Sequence, residues 1–442
     1  MAIRLSDHFT YGRLLKFTFP SMVTMVFTSL YGVVDGLFVT NFAGKSALAA
    51  INFVFPILMI LSTFGYMFGT GGSALVAKTL GEGKTEKANR LFSLFVYLCG
   101  GLGGVFAVVG FFILRPLMRL LGAEGEMLDQ AVMYGNILLL AMPFWNWQFL
   151  FQIFFVTAEK PKLGLYVTIL AGATNMVLDA LFVALFDWGL AGAAIATAMS
   201  QVVGGGIPLI YFFQKNDARL HLGKTLWDNR SVQKAATNGL SEFVSSISNS
   251  LVSILFNTQL LIFAGEDGVA AYSIMMYVTL VFIGIFFGYA NGSSPVVSYH
   301  YGAQNHAELK NLLRKGLVLC SGIAAAMLAV SELLSVPLSM IFAGYDADLY
   351  AMTLRGFRIY ALSYLFSGVA ILGPSFFTAL NNGPLSALLS FLRTIVFQVA
   401  CVLILPRFFG VEGIWWSVVI AEALAMTASG VAFAAMKKTY RY

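Results

Sequence analysis

The sequence predicts an all-α integral membrane protein, with twelve transmembrane helices in two parallel-repeat six-helix bundles around a central cavity. Three observations lead there. Of 442 residues, 59% are hydrophobic and 11% charged, against roughly a quarter charged in an ordinary soluble domain. The apolar residues gather into twelve stretches, each near or above the ~20 residues that cross a bilayer. The chain also repeats itself at an offset of 221: Gly71 falls on Gly292, Val76 on Val297, Gly81 on Gly302, Cys99 on Cys320, Thr157-Ala158 on Thr378-Ala379, and Gly189 and Gly192 on Gly410 and Gly413. Single matches of common residues carry little weight, but a constant offset across six spans is hard to produce by chance. Six is even, so both halves enter the membrane in the same sense, related by an axis along its normal.

Taken in order, span 1 (14–40) carries Ser21, Thr24, Thr28, Tyr31 and Asp35 at steps of 3, 4, 3 and 4, one face of a helix ending in an acid. Span 2 (48–77) runs into the charged loop "GEGKTEKANR", and span 3 (91–114) contains "CGGLGG" at 99–104, small residues that let helices approach closely. Span 4 (127–157) contains "PFWNWQFLFQIFF", in which Trp145, Trp147, Phe151 and Phe155 alternate with Asn146, Gln148 and Gln152. Aromatic faces with a few amides suit flat apolar cations. Packing is the plainer use of the aromatics, though not of the glutamines, which should avoid lipid. Spans 5 (163–187) and 6 (190–213) form a hairpin turning near Trp188. Span 7 (236–264) carries Glu242, Ser246, Asn249, Ser253 and Asn257 at steps of 4, 3, 4 and 4, and spans 8 (268–299) and 9 (312–343) follow, the latter with Glu332 in its outer half. Span 10 (349–380) has no acid in "FRIYALSYLFSGVAILGPSFF", and spans 11 (385–406) and 12 (411–436) close a second hairpin holding Arg393 and Glu422.

Lys and Arg mark the cytoplasmic loops. With the N-terminus inside, 20 of the 27 lie on inner segments, six lie outside (Lys45, Arg115, Arg119, Arg355, Arg358, Arg407), and Arg393 is within a span. Both termini are therefore expected in the cytoplasm, and the net charge of +6 needs no nucleic-acid partner. The expected division is an N-lobe over 1–213, a cytoplasmic linker over 214–234 and a C-lobe over 235–442. The N-terminus lacks the short apolar core and small-residue site of a cleaved signal peptide. Three cysteines without paired spacing and four scattered histidines suggest neither a disulfide framework nor a zinc site.

Ionisable groups inside a bilayer are costly and should face a cavity or a partner. Asp179 lies nine residues before the span 5–6 turn and Thr197 nine after; Asn175 and Gln201 lie thirteen to either side. At ~1.5 Å per residue each pair shares a depth, and Asp35 sits level with Asp179. Asp35, Asn175, Asp179 and Thr197 thus form a candidate cation-coupling site. Two acids in one low-dielectric pocket can exchange a proton near neutral pH, and four oxygen-bearing groups also suit a hard cation such as Na⁺; tying two helices together is the competing structural reading. No organic cofactor or catalytic constellation is evident. Arg393 and Glu422 are expected to form a structural ion pair. The groups expected to face the substrate cavity are Tyr31, Thr28, Gln148, Gln152, Trp145, Asn249, Ser253 and Asn257. Glu242, near the inner end of its span, serves either function or solvation.

At "SLYGVVDGLFVTNFAGKSALAAINFVFPI", "GEGKTEKANRL", "NMVLDALFVALFDWGLAGAAIAT" and "GVEGIWW" the chain resembles the multidrug and toxic compound extrusion (MATE) family, in its MepA/DinF-like bacterial branch, over nearly its whole length. The resemblance implies a secondary active transporter of the cytoplasmic membrane, not an enzyme. It would export amphipathic, often cationic drugs or toxic compounds by antiport with H⁺ or Na⁺, as a monomer. It also implies that Asp35, Asn175, Asp179 and Thr197 are the polar site that takes the coupling ion. The chain departs from the NorM branch, which uses acids in spans 7 and 10, so a second-lobe Na⁺ site is not expected. The alternative is a flippase for a lipid-linked precursor, which needs cationic groups in the cavity; Arg393 is the one intramembrane cation, and Glu422 is placed to neutralise it.

Overall fold

A computed structural model describes residues 3–38 and 44–442; the last two residues of span 1 and the Lys45 side chain lie outside the described residues. Every element is helical: α1 (Tyr11–Phe38), α2 (Gly44–Gly81), α3 (Thr85–Leu120), α4 (Gly125–Leu140), α5 (Met142–Thr157), α6 (Pro161–Asp179), α7 (Gly189–Phe213), α8 (Asn229–Gly302), α9 (His306–Ala343), α10 (Ala347–Ala361), α11 (Tyr364–Ala379), α12 (Gly383–Phe391), α13 (Gln398–Ile404) and α14 (Pro406–Tyr440). Two π-helical turns, Ala180–Leu185 and Leu392–Phe397, continue α6 and join α12 to α13.

These elements supply the twelve spans. Among the described residues, ten helices or bent helix pairs are long and apolar enough to cross a membrane, with α8 counted once. The 28 residues of α1 reach ~42 Å at ~1.5 Å per residue, and α8 folds back on itself at Gly265 (φ 65°, ψ −155°) to give two spans. Spans 4 and 10 are each broken, α4 bending into α5 by 57° and α10 into α11 by 47°. The breaks fall at Ala141 and at Leu362–Ser363, corresponding places in the repeat. In span 4, Pro143 lies in the first turn of α5, where its missing N–H costs nothing. The repeat also sets the far turns, because Gly189 (φ 53°) and Gly410 (φ 57°) both take the left-handed conformation that glycine adopts freely.

The halves meet through glycine. Added methyl groups on Gly71 and Gly239 would run into the Ala235 and Met67 backbones respectively, where α2 meets α8, and one on Gly292 would press on Thr18 of α1. Thr18 is the repeat partner of Gly239, so the contact is made twice, once by each half. Nearer the face where both chain ends lie, a methyl on Gly81 would overlap the Tyr299 carbonyl and one on Gly302 the Lys78 carbonyl, again a repeat-related pair. Without side chains at these points α2 and α8 touch backbone to backbone, the close approach that small residues allow in a membrane.

The same terminal face is strapped by the N-terminal segment. Leu5 and Phe9 are buried; the Leu5 N–H donates to Glu159 Oε1 at 2.9 Å and the Phe9 N–H to Glu308 Oε1 at 2.9 Å. Arg219, from the charged segment between α7 and α8, donates to Glu159 at 2.7 Å and stacks over the Tyr299 ring at 5.0 Å. Replacing Gly81 or Gly302 by Val should force this crossing apart at ~1–3 kcal/mol, the usual cost of overpacking, and lower the thermal midpoint of the purified protein. An unchanged midpoint in both variants would contradict the crossing.

Candidate functional site

The first polar cluster lies in the N-terminal half. Asp179 is the last residue of α6, fully buried, with neither carboxylate oxygen hydrogen-bonded among the described residues. Asp35 of α1 lies within interaction range of both the Asp179 carboxyl and the Asn175 amide, and its buried Oδ1 has no partner among the described residues. Asn175 Nδ2 donates to Thr197 Oγ1 at 3.4 Å while its own Oδ1 goes unmatched, as does buried Gln201 Oε1. Buried polar atoms are nearly always satisfied. Among the described residues, the four unpartnered oxygens of Asp35, Asn175 and Asp179 therefore make a cluster short of donors or of a positive charge.

The depth rule read from sequence is shifted here. Thr197 pairs with Asn175, one turn further from the hairpin than the expected Asp179. A π-helical turn follows Asp179, and its i→i+5 geometry departs from the straight α-helix that the depth rule assumes. Such turns inside helices gather at functional sites, and the second one contains Arg393. Sequence reading also missed Tyr134 of α4, which is buried within Coulombic reach of both Asp35 and Asp179.

The second feature is a cavity of about 470 Å³ between the halves, in the range of drug-sized ligand sites. Thr28, Gln152, Asn249 and Ser253 line it, as do Arg393, Glu422 and Glu242. The polar stripe on span 7 is therefore a cavity wall, except that Phe256 takes the place expected of Asn257. Three other expected groups sit elsewhere. Tyr31 packs on Gly172 beside Gln148 and Asp35, Gln148 packs on Gly204, and Trp145 is 6% exposed against Phe55 and Phe149. Close glycines give Tyr31 and Gln148 room against a neighbouring helix. Arg393 grips Glu422 with two bonds, Nε to Oε2 at 3.1 Å and Nη2 to Oε1 at 3.0 Å. Glu332 pairs at the surface with Arg358 at 3.6 Å. Tyr66, Tyr272 and Tyr360 also face the cavity, from spans where no periodic pattern drew attention to them.

Comparison with known proteins follows the same division. The family model described as MatE matches twice, over residues 20–181 and 243–404, once in each half. The multidrug export protein MepA of Staphylococcus saprophyticus is 25% identical over 419 residues, covering 94% of this chain and 92% of its own. Among solved structures, a MATE in complex with MaL6 superposes with a TM-score of 0.92 at 22% identity, over 98% of both chains. The outward-facing conformation of a multidrug resistance MATE family transporter of the MOP superfamily does so at 0.91 and 23%, again over 98% of both. At that identity the structural likeness speaks for the fold.

Proposed function

The chain belongs to the MatE family, whose members are membrane transporters and not enzymes, and from that premise we propose that it is a secondary active multidrug exporter. It moves amphipathic, often cationic compounds out of the cell in exchange for inward H⁺ or Na⁺. Its two lobes, 1–213 and 235–442 joined by 214–234, alternate access to the cavity between them. It works in the cytoplasmic membrane with both termini inside. The observation that carries the reading is the pair Asp35 and Asp179, whose unpartnered oxygens lie in an apolar half-bundle. Keeping two acids there is costly, and a visiting cation or proton gives the cost a use. The relative named as a multidrug export protein supports the choice of cargo. A lipid-linked pyrophosphate would need an unspent cation, whereas Arg393 is held by Glu422.

Reconstitution in liposomes tests this directly. Ethidium or Hoechst should be moved under an imposed ΔpH, under an imposed Na⁺ gradient, or under both, and the pattern names the ion. Dye movement under neither gradient, with transport of a lipid-linked saccharide, would overturn the exporter reading.

A further inference from the structure

The charged segment between α7 and α8 is tied down along the outside of the N-terminal half. The Leu222 N–H donates to the Phe212 carbonyl at 2.9 Å, the His221 N–H to Asn89 Oδ1 at 2.9 Å and the Gly223 N–H to Ser93 Oγ at 3.0 Å. Tyr97 OH donates to the Gly223 carbonyl at 3.1 Å. Ser93 and Tyr97 lie inside span 3 (91–114), so Gly223 reaches the depth at which the chain has turned apolar. Thr225 Oγ1 then donates to the Arg90 carbonyl at 2.7 Å, one residue before that span begins. Leu226 and Trp227 follow, 81% and 63% exposed, so neither packs on the protein. The exposed Tyr97 and Phe213 rings lie 6.4 Å apart in the same region.

We propose that this corner of the terminal face is a docking surface for the headgroup of an anionic phospholipid. The acids of the region are engaged. Glu82 is held by Lys78 and Lys84, Glu86 by Arg90 and Asp217 by Lys160. Asp228 accepts from the Arg230 and Ser231 N–H groups and the Ser231 hydroxyl at the start of α8. Lys87, Lys215, Lys224 and Arg230 are exposed, and none of them forms an ion pair among the described residues. Even with Asp228 set against Lys87, which lies within its Coulombic reach, three of these four positive charges remain.

Depth and charge together select the occupant. Trp and Tyr are favoured at headgroup level, where the ring meets acyl chains and the polar edge stays wet; Trp227 Nε1 donates to Asn229 Oδ1 at 3.0 Å. Lys and Arg beside such rings attract anionic headgroups, each by about fivefold. A soluble protein partner would have to reach residues level with the start of an apolar span, a place that lipid occupies. None of these residues lines the cavity between the halves, so the surface is separate from the space where a transported compound would sit.

The test uses the full-length protein in liposomes of phosphatidylcholine, with dibromo-phosphatidylglycerol or dibromo-phosphatidylcholine added as quencher. Trp227 emission is the difference between each protein and its Trp227→Phe counterpart. In the parent, the anionic quencher should reach half-effect at a mole fraction about fivefold or more below that of the zwitterionic one. Lys87→Gln, Lys215→Gln, Lys224→Gln and Arg230→Gln combined should bring the two to within about twofold. Quenching by dibromo-phosphatidylcholine should be unchanged in that variant, which shows that the fold and the depth of Trp227 are kept. Equal quenching of the parent by both lipids, or a preference that survives the four changes, would overturn the headgroup assignment. Trp227 emission insensitive to both quenchers would place this surface off the bilayer and overturn the docking surface. The readout needs no transport, so failure here leaves the exporter reading to its own dye assay.

Discussion

Asp179→Asn and Asp35→Asn should each reduce gradient-driven dye export about 100-fold or more, the scale expected when a buried charge partner is removed, while leaving the protein folded and able to bind dye. Asn is nearly isosteric with Asp, so each change removes the charge and the exchangeable proton without opening a cavity. The unpartnered oxygens make the case sharper. Since neither Asp179 oxygen accepts a hydrogen bond among the described residues, a purely architectural role predicts little effect. The dye cavity does not include either acid, so binding to the detergent-solubilised protein should survive. Measured in liposomes under ΔpH and under a Na⁺ gradient separately, full transport by both variants would remove the cluster from the coupling mechanism.

Much of this arrangement was legible because helices impose a period. Thr28 and the Glu242–Ser253 stripe recur at three- and four-residue steps, and that spacing alone puts them on one face. The glycines of the lobe contact were visible as repeat matches, although nothing in sequence said that Gly239 would stand opposite Gly71. What escaped has a common cause: departures from straight α-helix and contacts between distant spans. The π-helical turn after Asp179 departs from the straight helix on which the hairpin register was reckoned, and no residue in "ALFVAL" announces it. Tyr134 reaches the acids from α4, a span that shares no sequence pattern with them. Trp145 and Gln148 looked like cavity residues by type and were taken up by packing, a choice that only the neighbouring helix decides.

The Arg393–Glu422 pair should respond asymmetrically to truncation. Its side chains are 13% and 6% exposed, and removing one partner of so enclosed a pair typically costs ~3–5 kcal/mol by leaving the other charge uncompensated. After Glu422→Ala, however, Arg393 still has a carboxylate within Coulombic reach, because Glu242 interacts with it and lines the same small void. Arg393→Ala has no such relief: it leaves Glu422 and Glu242 facing one cavity with no cation between them. The loss of thermal stability should therefore be larger for Arg393→Ala, near the top of that range, and smaller for Glu422→Ala. Glu422→Ala leaves Arg393 facing Glu242, so this variant should remain folded. Arg393→Ala adds a second unspent carboxylate, and added monovalent or divalent organic cation should restore part of its lost stability, because a ligand bound only by the folded state shifts the equilibrium toward it. Melting curves for the two variants, with and without tetraphenylphosphonium, check both halves of the argument. Equal destabilisation with no cation rescue would mean that the pair is a clamp between α14 and the π-helical turn and takes no part in setting the cavity's charge.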